Sequence, residues 1–338
     1  MGKGKIAVIS TQVYKIPCRG YGGLERIVEY QARGFKEMGY KVKLIAPKGS
    51  HLKGVEVIEC CEPSLSNPER EAYEIYKDEL DDCDIIYDHS WQKWAFYKRE
   101  DLRKRIINIL HGLEPFGSIP FDFFNCVCPS RFHANYVAGR YGIIAKYIYH
   151  GFPTDEFKPC YNKEDFMLFA SRWSPYKGLH LFIEWCKKYK VKGIVIGDSE
   201  LVEDKKYVEK CLKKADPKYV EIRGNVDEKE RNELMRKAKA VVSPLCGDYK
   251  EIFGLVCIEA NLHGTPILIT DQGAPREIVK HKVSGWVAKD IFELEQVFEK
   301  VAKGVYTFNY EACRRWAEKF DYINMCSQYI GISYEAPW

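Results

Sequence analysis

The chain has 338 residues, 46% hydrophobic and 30% charged, with a formal net charge of +4. That length exceeds an ordinary single core and predicts two domains, and the composition excludes a disordered chain. The basic excess is too small to argue for nucleic-acid binding, and no helix-turn-helix, RNP or zinc-finger pattern accompanies it.

Met1-Gly2-Lys3-Gly4-Lys5 leads directly into the strand-like Ile6-Ala7-Val8-Ile9, with no apolar core of a signal peptide. No apolar run approaches the ~20 residues needed to span a bilayer. The expectation is a cytoplasmic protein. Short apolar strands then alternate with amphipathic helices, which predicts α/β layers with parallel sheets. Strands are expected at 6–9, 42–46, 55–58, 84–88, 106–110, 126–129 and 147–150. A helix at 24–38 would place Leu24, Ile27, Val28, Phe35 and Met38 near one face, with Gly39 as its stop.

Gly151-Phe152-Pro153-Thr154-Asp155 reads as a linker. A second strand series follows at 166–170, 193–196, 219–222, 240–243, 266–269 and 285–287. The fold class is therefore two Rossmann-like lobes, each a parallel sheet, facing a central cleft. The thirteen cysteines lack zinc-site spacing; they read as reduced, mostly buried thiols.

In open parallel sheets, ligands bind beyond the carboxyl ends of the strands. After the first strand a long loop ends in Gly22-Gly23 at a helix start, where missing side chains let a ligand approach the backbone. The G-x-G-x-x-G pattern of dinucleotide enzymes is absent there. His111 follows the strand at 106–110 and Asp88-His89-Ser90 follows that at 84–88; His111 is read as functional, while His89, His150 and His263 are read as structural. His263 is expected to complement a helix end as a cation. In the second lobe, Arg172 and Lys177 would offer a fork and a point charge to a diphosphate.

The most informative segment is Glu251-Ile252-Phe253-Gly254-Leu255-Val256-Cys257-Ile258-Glu259. It puts one carboxylate on a loop and another two turns into a helix, beside a helix N-terminus that attracts a phosphate. Hydroxyl-accepting carboxylates around an anion seat suit a nucleotide-sugar.

Taken together, these residues resemble the retaining glycosyltransferases of family GT4, which have the GT-B fold. The likeness covers nearly the whole chain: Gly22-Gly23-Leu24-Glu25-Arg26, the junction Tyr149-His150-Gly151-Phe152-Pro153, the stretch around Arg172 and Lys177, Arg223-Gly224-Asn225-Val226, Glu251 to Glu259, Gly273, Glu277-Ile278-Val279 and Ser284-Gly285. The resemblance implies an acceptor-binding lobe at 1–152, joined by a C-terminal helix at about 320–338, and a donor-binding lobe at 153–319. Arg172 and Lys177 would hold the donor diphosphate, Glu259 the ribose hydroxyls and Glu251 the transferred sugar. Backbone N–H groups of Phe253, Gly254, Leu255 and Val256 would assist. His111 would contact the sugar, Gly22 and Gly23 would lie near the phosphates, and Val226 would lie beside the base. The implied reaction moves a hexose from a UDP-, GDP- or ADP-sugar to a glycan, lipid-linked or small acceptor. It retains anomeric configuration and needs no metal or other cofactor.

The chain departs from the family's pattern at Asn261-Leu262-His263 and at Arg276, both at edges of the donor pocket. Other readings are a GT-B enzyme of another class, such as an epimerase or phosphorylase, and a catalytically silent partner subunit. Trp91, Trp94, Phe116, Phe121, Phe123 and Phe124 make the first lobe aromatic, chiefly as core, with one or two free to meet an acceptor. The basic residues Lys98-Arg99 and Arg103-Lys104-Arg105 read as a solvated helix end. Their sharper reading is a peripheral contact with the inner face of a membrane.

Overall fold

The computed structural model describes residues 3–18, 20, 22–114, 123–197, 202 and 204–338. The chain divides into two compact units. One is formed by an N-terminal stretch ending at Cys18, by Gly22–Pro153 and by Phe320–Trp338, and the other chiefly by Thr154–Lys319.

The first unit holds strands β1 (Lys5–Ile9), β2 (Lys41–Ala46), β3 (Glu56–Glu59), β4 (Ile85–Asp88), β5 (Ile106–Ile109), β6 (Cys126–Cys128) and β7 (Ala145–Tyr147). They pair in parallel in the order β3-β2-β1-β4-β5-β6-β7. Their apolar runs are almost continuous because both faces of such a sheet are covered. The helix Gly23–Glu37 buries Ile27, Val28 and Phe35. Leu24 and Met38 are only half-buried, so the predicted face is narrower than expected.

The helix Tyr322–Ser333 starts at Asp321, whose carboxylate accepts from Ile323 N and Asn324 N. It packs on the same unit: Tyr87 OH lies 2.9 Å from Ser333 Oγ, and the Tyr87 ring sits between Phe35 at 4.7 Å and Tyr329 at 5.4 Å.

The second unit contains β8 (Met167–Ala170), β9 (Gly193–Ile196), β10 (Val220–Gly224), β11 (Ala240–Ser243), β12 (Ile267–Thr270) and β13 (Gly285–Ala288). All pairs are parallel, in the order β10-β9-β8-β11-β12-β13. Phe169, Phe182, Trp185 and Phe298 fill its core.

All thirteen predicted strands form, most within one or two residues of the expected ends. The clearest shift is at 147–150, where β7 ends at Tyr147 instead. Phe152 is already committed elsewhere: its N donates to Phe320 O at 2.8 Å and its O accepts from Tyr322 N at 3.1 Å. All thirteen cysteines are thiols, and only Cys61, Cys160 and Cys246 are partly exposed. Among the described residues no helix is long and apolar enough to cross a membrane.

Strand order reverses between β1 and β4 in the first sheet and between β8 and β11 in the second. Beyond the carboxyl ends at such points the flanking loops part and leave a crevice.

Candidate active site

After β8, Ser171-Arg172-Trp173-Ser174 leads into a single 3-10 turn, Pro175–Lys177, and then the helix Leu179–Tyr189. Proline opens that turn with its φ already set. Gly178 joins turn to helix at φ +75°, and a Cβ there would lie 2.1 Å from Pro244 O. Only glycine allows the loops after β8 and β11 to approach so closely.

The loop after β11 delivers Glu251 to a fixed place. Glu251 N donates to Gln272 O at 2.9 Å, and Ala274 N donates to Glu251 O at 2.8 Å. Gly273 between them has φ +99°, and a Cβ on it would lie 2.3 Å from Glu251 O.

These two loops bring Lys177 and Glu251 together. Lys177 Nζ donates to Glu251 Oε2 at 2.7 Å and lies 2.9 Å from Tyr249 OH. The Tyr249 hydroxyl reaches the same carboxylate oxygen at 3.4 Å. Burial alone would lower the pKa of Lys177, but the Glu251 charge and Tyr249 outweigh it and hold the ammonium well above the usual lysine value. Burial, then the Glu251 charge, pushes Tyr249 up to about 12. Tyr176 stacks on Tyr249 at 4.5 Å, and the half-buried Arg172 guanidinium stands 5.9 Å from the Tyr176 ring. Two cations and one carboxylate therefore share the switch point of this sheet.

The helix Leu255–Leu262 begins beside them. Its first flanking residue, Gly254, supplies no side-chain cap, so the first-turn N–H groups of Leu255 and Val256 are left for another acceptor. Phe253 is buried just before it. Glu259 stands one turn into this helix, not two, because the helix starts only at Leu255. It is buried, and its Oε1 lies 3.2 Å from Arg231 Nη1 on the helix Glu228–Lys237. Val226 is half-buried in the loop after β10.

In the first unit, Gly22 precedes and Gly23 opens the helix Gly23–Glu37. Nearby, Thr11 Oγ1 donates to Glu25 Oε1 at 2.6 Å, and burial pushes the Glu25 carboxyl up. His111 follows β5 and gathers other histidines: His89 Nδ1 lies 2.9 Å from its Nε2, and the His150 ring centroid is 5.8 Å away. Burial holds His89 and His111 well below the usual histidine range. It brings His133 to about 4 and His150 to about 3.

His263 corrects one expectation. It is buried with Nδ1 3.2 Å from Lys158 O, and burial lowers it to about 4. It is a neutral donor and not a cation at a helix end. Asn261, a departure from the family's pattern, has a local reason: its Nδ2 donates to Thr265 O at 2.9 Å and Ser284 O at 2.7 Å.

Tyr249 and Arg231 were not visible as site residues in the sequence. Tyr249 sits in a loop without periodicity, and Arg231 reaches Glu259 from another helix. Among the aromatics, Phe123 and Phe124 pack on Phe96 at 5.1 and 5.0 Å, and Trp94 on Tyr73 at 6.4 Å. Trp91 stands edge-on to His111 at 6.4 Å. Phe116 and Phe121 lie outside the described residues. In the basic run, Arg99 donates to Asp81 and Asp101 at 2.6 and 2.7 Å and Arg103 to Phe96 O at 3.0 Å, so part of its charge is already paired.

Residues 153–318 match the family described as glycosyl transferases group 1. An uncharacterized glycosyltransferase of Methanocaldococcus jannaschii is 30% identical over 130 residues, which are 37% of this chain and 32% of that protein. The chain thus spans about a third of that relative's length. Among solved structures, sucrose-phosphate synthase of Thermosynechococcus elongatus gives a TM-score of 0.80 at 15% identity, covering 98% of this chain and 99% of that one. Anabaena HepE, in complex with UDP and glucose, gives 0.75 at 18% identity, covering 98% and 100%. HepE is also known with UDP-glucose bound. The chain therefore has the GT-B fold, and its second unit carries the stretch that matches the glycosyl transferases group 1 family.

Proposed function

We propose that this protein transfers a hexose from a nucleotide-diphosphate-sugar to a hydroxyl acceptor, with retention of anomeric configuration and without a metal. The observation that carries this reading is the buried Lys177–Glu251 pair, with Arg172 and the uncapped helix Leu255–Leu262 beside it. The family match over 153–318 and the nucleotide-sugar held by HepE support the donor class.

Breaking the bond from the sugar C1 to the phosphate oxygen leaves oxocarbenium character on the sugar. The electron pair goes to the departing diphosphate. Lys177, Arg172 and the first-turn N–H groups stabilise that oxygen, and fixed dipoles of this kind are commonly the largest catalytic term. Glu251 accepts from hydroxyls of the transferred sugar and Glu259 from the ribose. The acceptor oxygen attacks C1 on the face the phosphate leaves, and its proton passes to the leaving phosphate oxygen. Neither glutamate is a nucleophile of the glycosidase kind.

The first unit is assigned to the acceptor, with His111 its substrate contact and Gly22 and Gly23 its approach to the phosphates. The acceptor is a glycan, a lipid-linked sugar or a small molecule. Lys98 and Lys104, both exposed, are the cations proposed for peripheral contact with anionic lipid, which vesicle sedimentation tests.

A thermal-shift panel of UDP-, GDP- and ADP-sugars tests the donor class. A ligand at ~100 times its dissociation constant adds ~2.7 kcal/mol of stability. Product NMR then reads the anomeric configuration, and an EDTA control reads the metal requirement. Absence of any nucleotide-dependent shift together with absence of transfer would sink the proposal.

A further inference from the structure

His89 and Gln31 lie behind His111 and have no part in the reaction as written above. β4 and β5 are neighbours in parallel register, so the residues just past their carboxyl ends stand side by side. His89 is fully buried there, and His111 is half-buried. Their rings stack at 5.0 Å.

The hydrogen bonds of this pair have a direction. His89 Nε2 lies 2.8 Å from Gln31 Oε1, a carbonyl oxygen that can only accept. With the Gln31 amide in this orientation, which leaves its buried Nε2 without a hydrogen-bond partner among the described residues, His89 Nε2 carries the proton. Both imidazoles are neutral, since burial disfavours their charged forms and Lys93 adds to this at His89. A neutral imidazole has one N–H, so His89 Nδ1 is a lone pair. The 2.9 Å contact to His111 Nε2 then requires His111 to donate. The remaining nitrogen of His111, Nδ1, is left as an acceptor and makes no hydrogen bond among the described residues.

The surrounding backbone holds both rings in place. Lys93 Nζ donates to Asp88 O at 2.6 Å and Ile109 O at 3.0 Å, tying the ends of β4 and β5 together. Glu69 accepts from Trp91 N at 2.8 Å and Gln92 N at 2.6 Å, fixing the loop after His89. His133 Nε2 donates to Gly112 O at 2.8 Å, fixing the residue after His111.

We propose that His89, oriented by Gln31, is a positioning residue that fixes His111 as its Nε2–H tautomer, so that Nδ1 accepts a hydrogen bond from a hydroxyl of the substrate sugar. This rests on the assignment of His111 to substrate contact. Such a nitrogen selects a sugar bearing a hydroxyl at that place and gives nothing to a phosphate oxygen, which has no proton to donate.

Nitrogen-15 NMR of the full chain labelled at histidine reads the tautomer without reference to activity. The expected result is a protonated Nε2 and a bare Nδ1 at His111; the reverse pattern overturns the proposal. His89→Phe keeps a stacked ring but removes the acceptor. It should release His111 into a mixture of tautomers and lower kcat/KM for the nucleotide-sugar about tenfold, the scale of one lost hydrogen bond. His89→Gln restores an accepting oxygen and should recover both. If His89→Phe does not fold, Gln31→Leu is scored on the same tautomer measurement. A single Nε2–H tautomer persisting in the folded variant, or wild-type kcat/KM after the tautomer is lost, refutes the positioning role. If no nucleotide-sugar is turned over at all, the substrate contact of His111 fails, and the tautomer spectra still decide the role of His89.

Discussion

Lys177 Nζ lies 2.7 Å from Glu251 Oε2 although 74 residues separate them in the chain. Each residue is delivered by a different loop at the β8/β11 switch point, and neither is more than one-seventh exposed as a side chain. A buried pair of this kind is weak evidence for stability, because desolvation offsets the attraction. Its arrangement makes better sense as a preorganised site, in which an incoming anion can take over the ammonium while a sugar hydroxyl takes over the carboxylate.

Removing the ammonium tests this directly. Lys177→Ala should lower kcat about 100-fold, the scale seen when one preorganised donor to a developing anion is lost, with a smaller change in donor KM. It should also destabilise the protein by about 3 kcal/mol, because Glu251 is left buried and uncompensated. Steady-state kinetics and urea melts check the two effects separately. Equal kcat with raised KM would move Lys177 from leaving-group stabilisation to simple binding.

Glu259 is predicted to act on binding. Glu259→Ala should raise donor KM or Kd roughly 10- to 100-fold, the scale of a hydrogen bond to a charged acceptor, while kcat stays within about threefold of wild type. The variant also strands Arg231, so Glu259→Ala with Arg231→Ala should recover stability but not affinity. Isothermal titration with the nucleotide diphosphate decides it, and unchanged affinity would remove Glu259 from the ribose site.

Tyr249→Phe removes the hydroxyl that touches both Lys177 and Glu251 and leaves the stack on Tyr176 intact. The expected loss is about 1 kcal/mol in transition-state stabilisation, roughly fivefold in kcat/KM, with little change in Tm. Tyr249→Ala, which removes the stack as well, should lose more.

Gly273→Ala tests the support of Glu251. The backbone there is left-handed and a methyl group would press on Glu251 O. Strain of this kind costs about 1–3 kcal/mol, and displacement of Glu251 should lower activity further than the stability loss explains. Urea titration beside kinetics separates the two, and a variant with wild-type stability and rate would show that the clamp is dispensable.

The buried histidines predict an acid-labile fold. His133 and His150 titrate at about 4 and about 3 in the folded chain, against ~6.5 when unfolded. Between those values the unfolded chain holds the extra protons, so stability rises with pH in that window. It should therefore fall as pH drops from about 6.5 towards 4, by about 1.4 kcal/mol per pH unit for each such histidine. Urea midpoints from pH 7.5 to 4.5 measure it, and His133→Asn should flatten the slope. A variant with the same slope as wild type would contradict the assignment of His133 as a buried neutral donor.

Sequence alone determined the alternation of thirteen strands with helices, since short continuous apolar runs for strands buried on both faces and period-3.6 burial for helices are written locally in Ile, Val and Phe. It also marked Glu251, Phe253, Gly254 and Glu259, because a turn followed by a helix start is a short-range pattern. Which side chains meet was decided only by the tertiary structure. The pairing of Lys177 with Glu251, the reach of Arg231 to Glu259, the bridging hydroxyl of Tyr249 and the contact of His89 with His111 all join segments from separate elements. Sheet order sets those meetings, and hydrogen bonds between distant loops leave no periodic trace in the chain. Burial did the rest: it made His263 a neutral donor where its position in the sequence suggested a cation, because charge in a dry interior depends on what surrounds it.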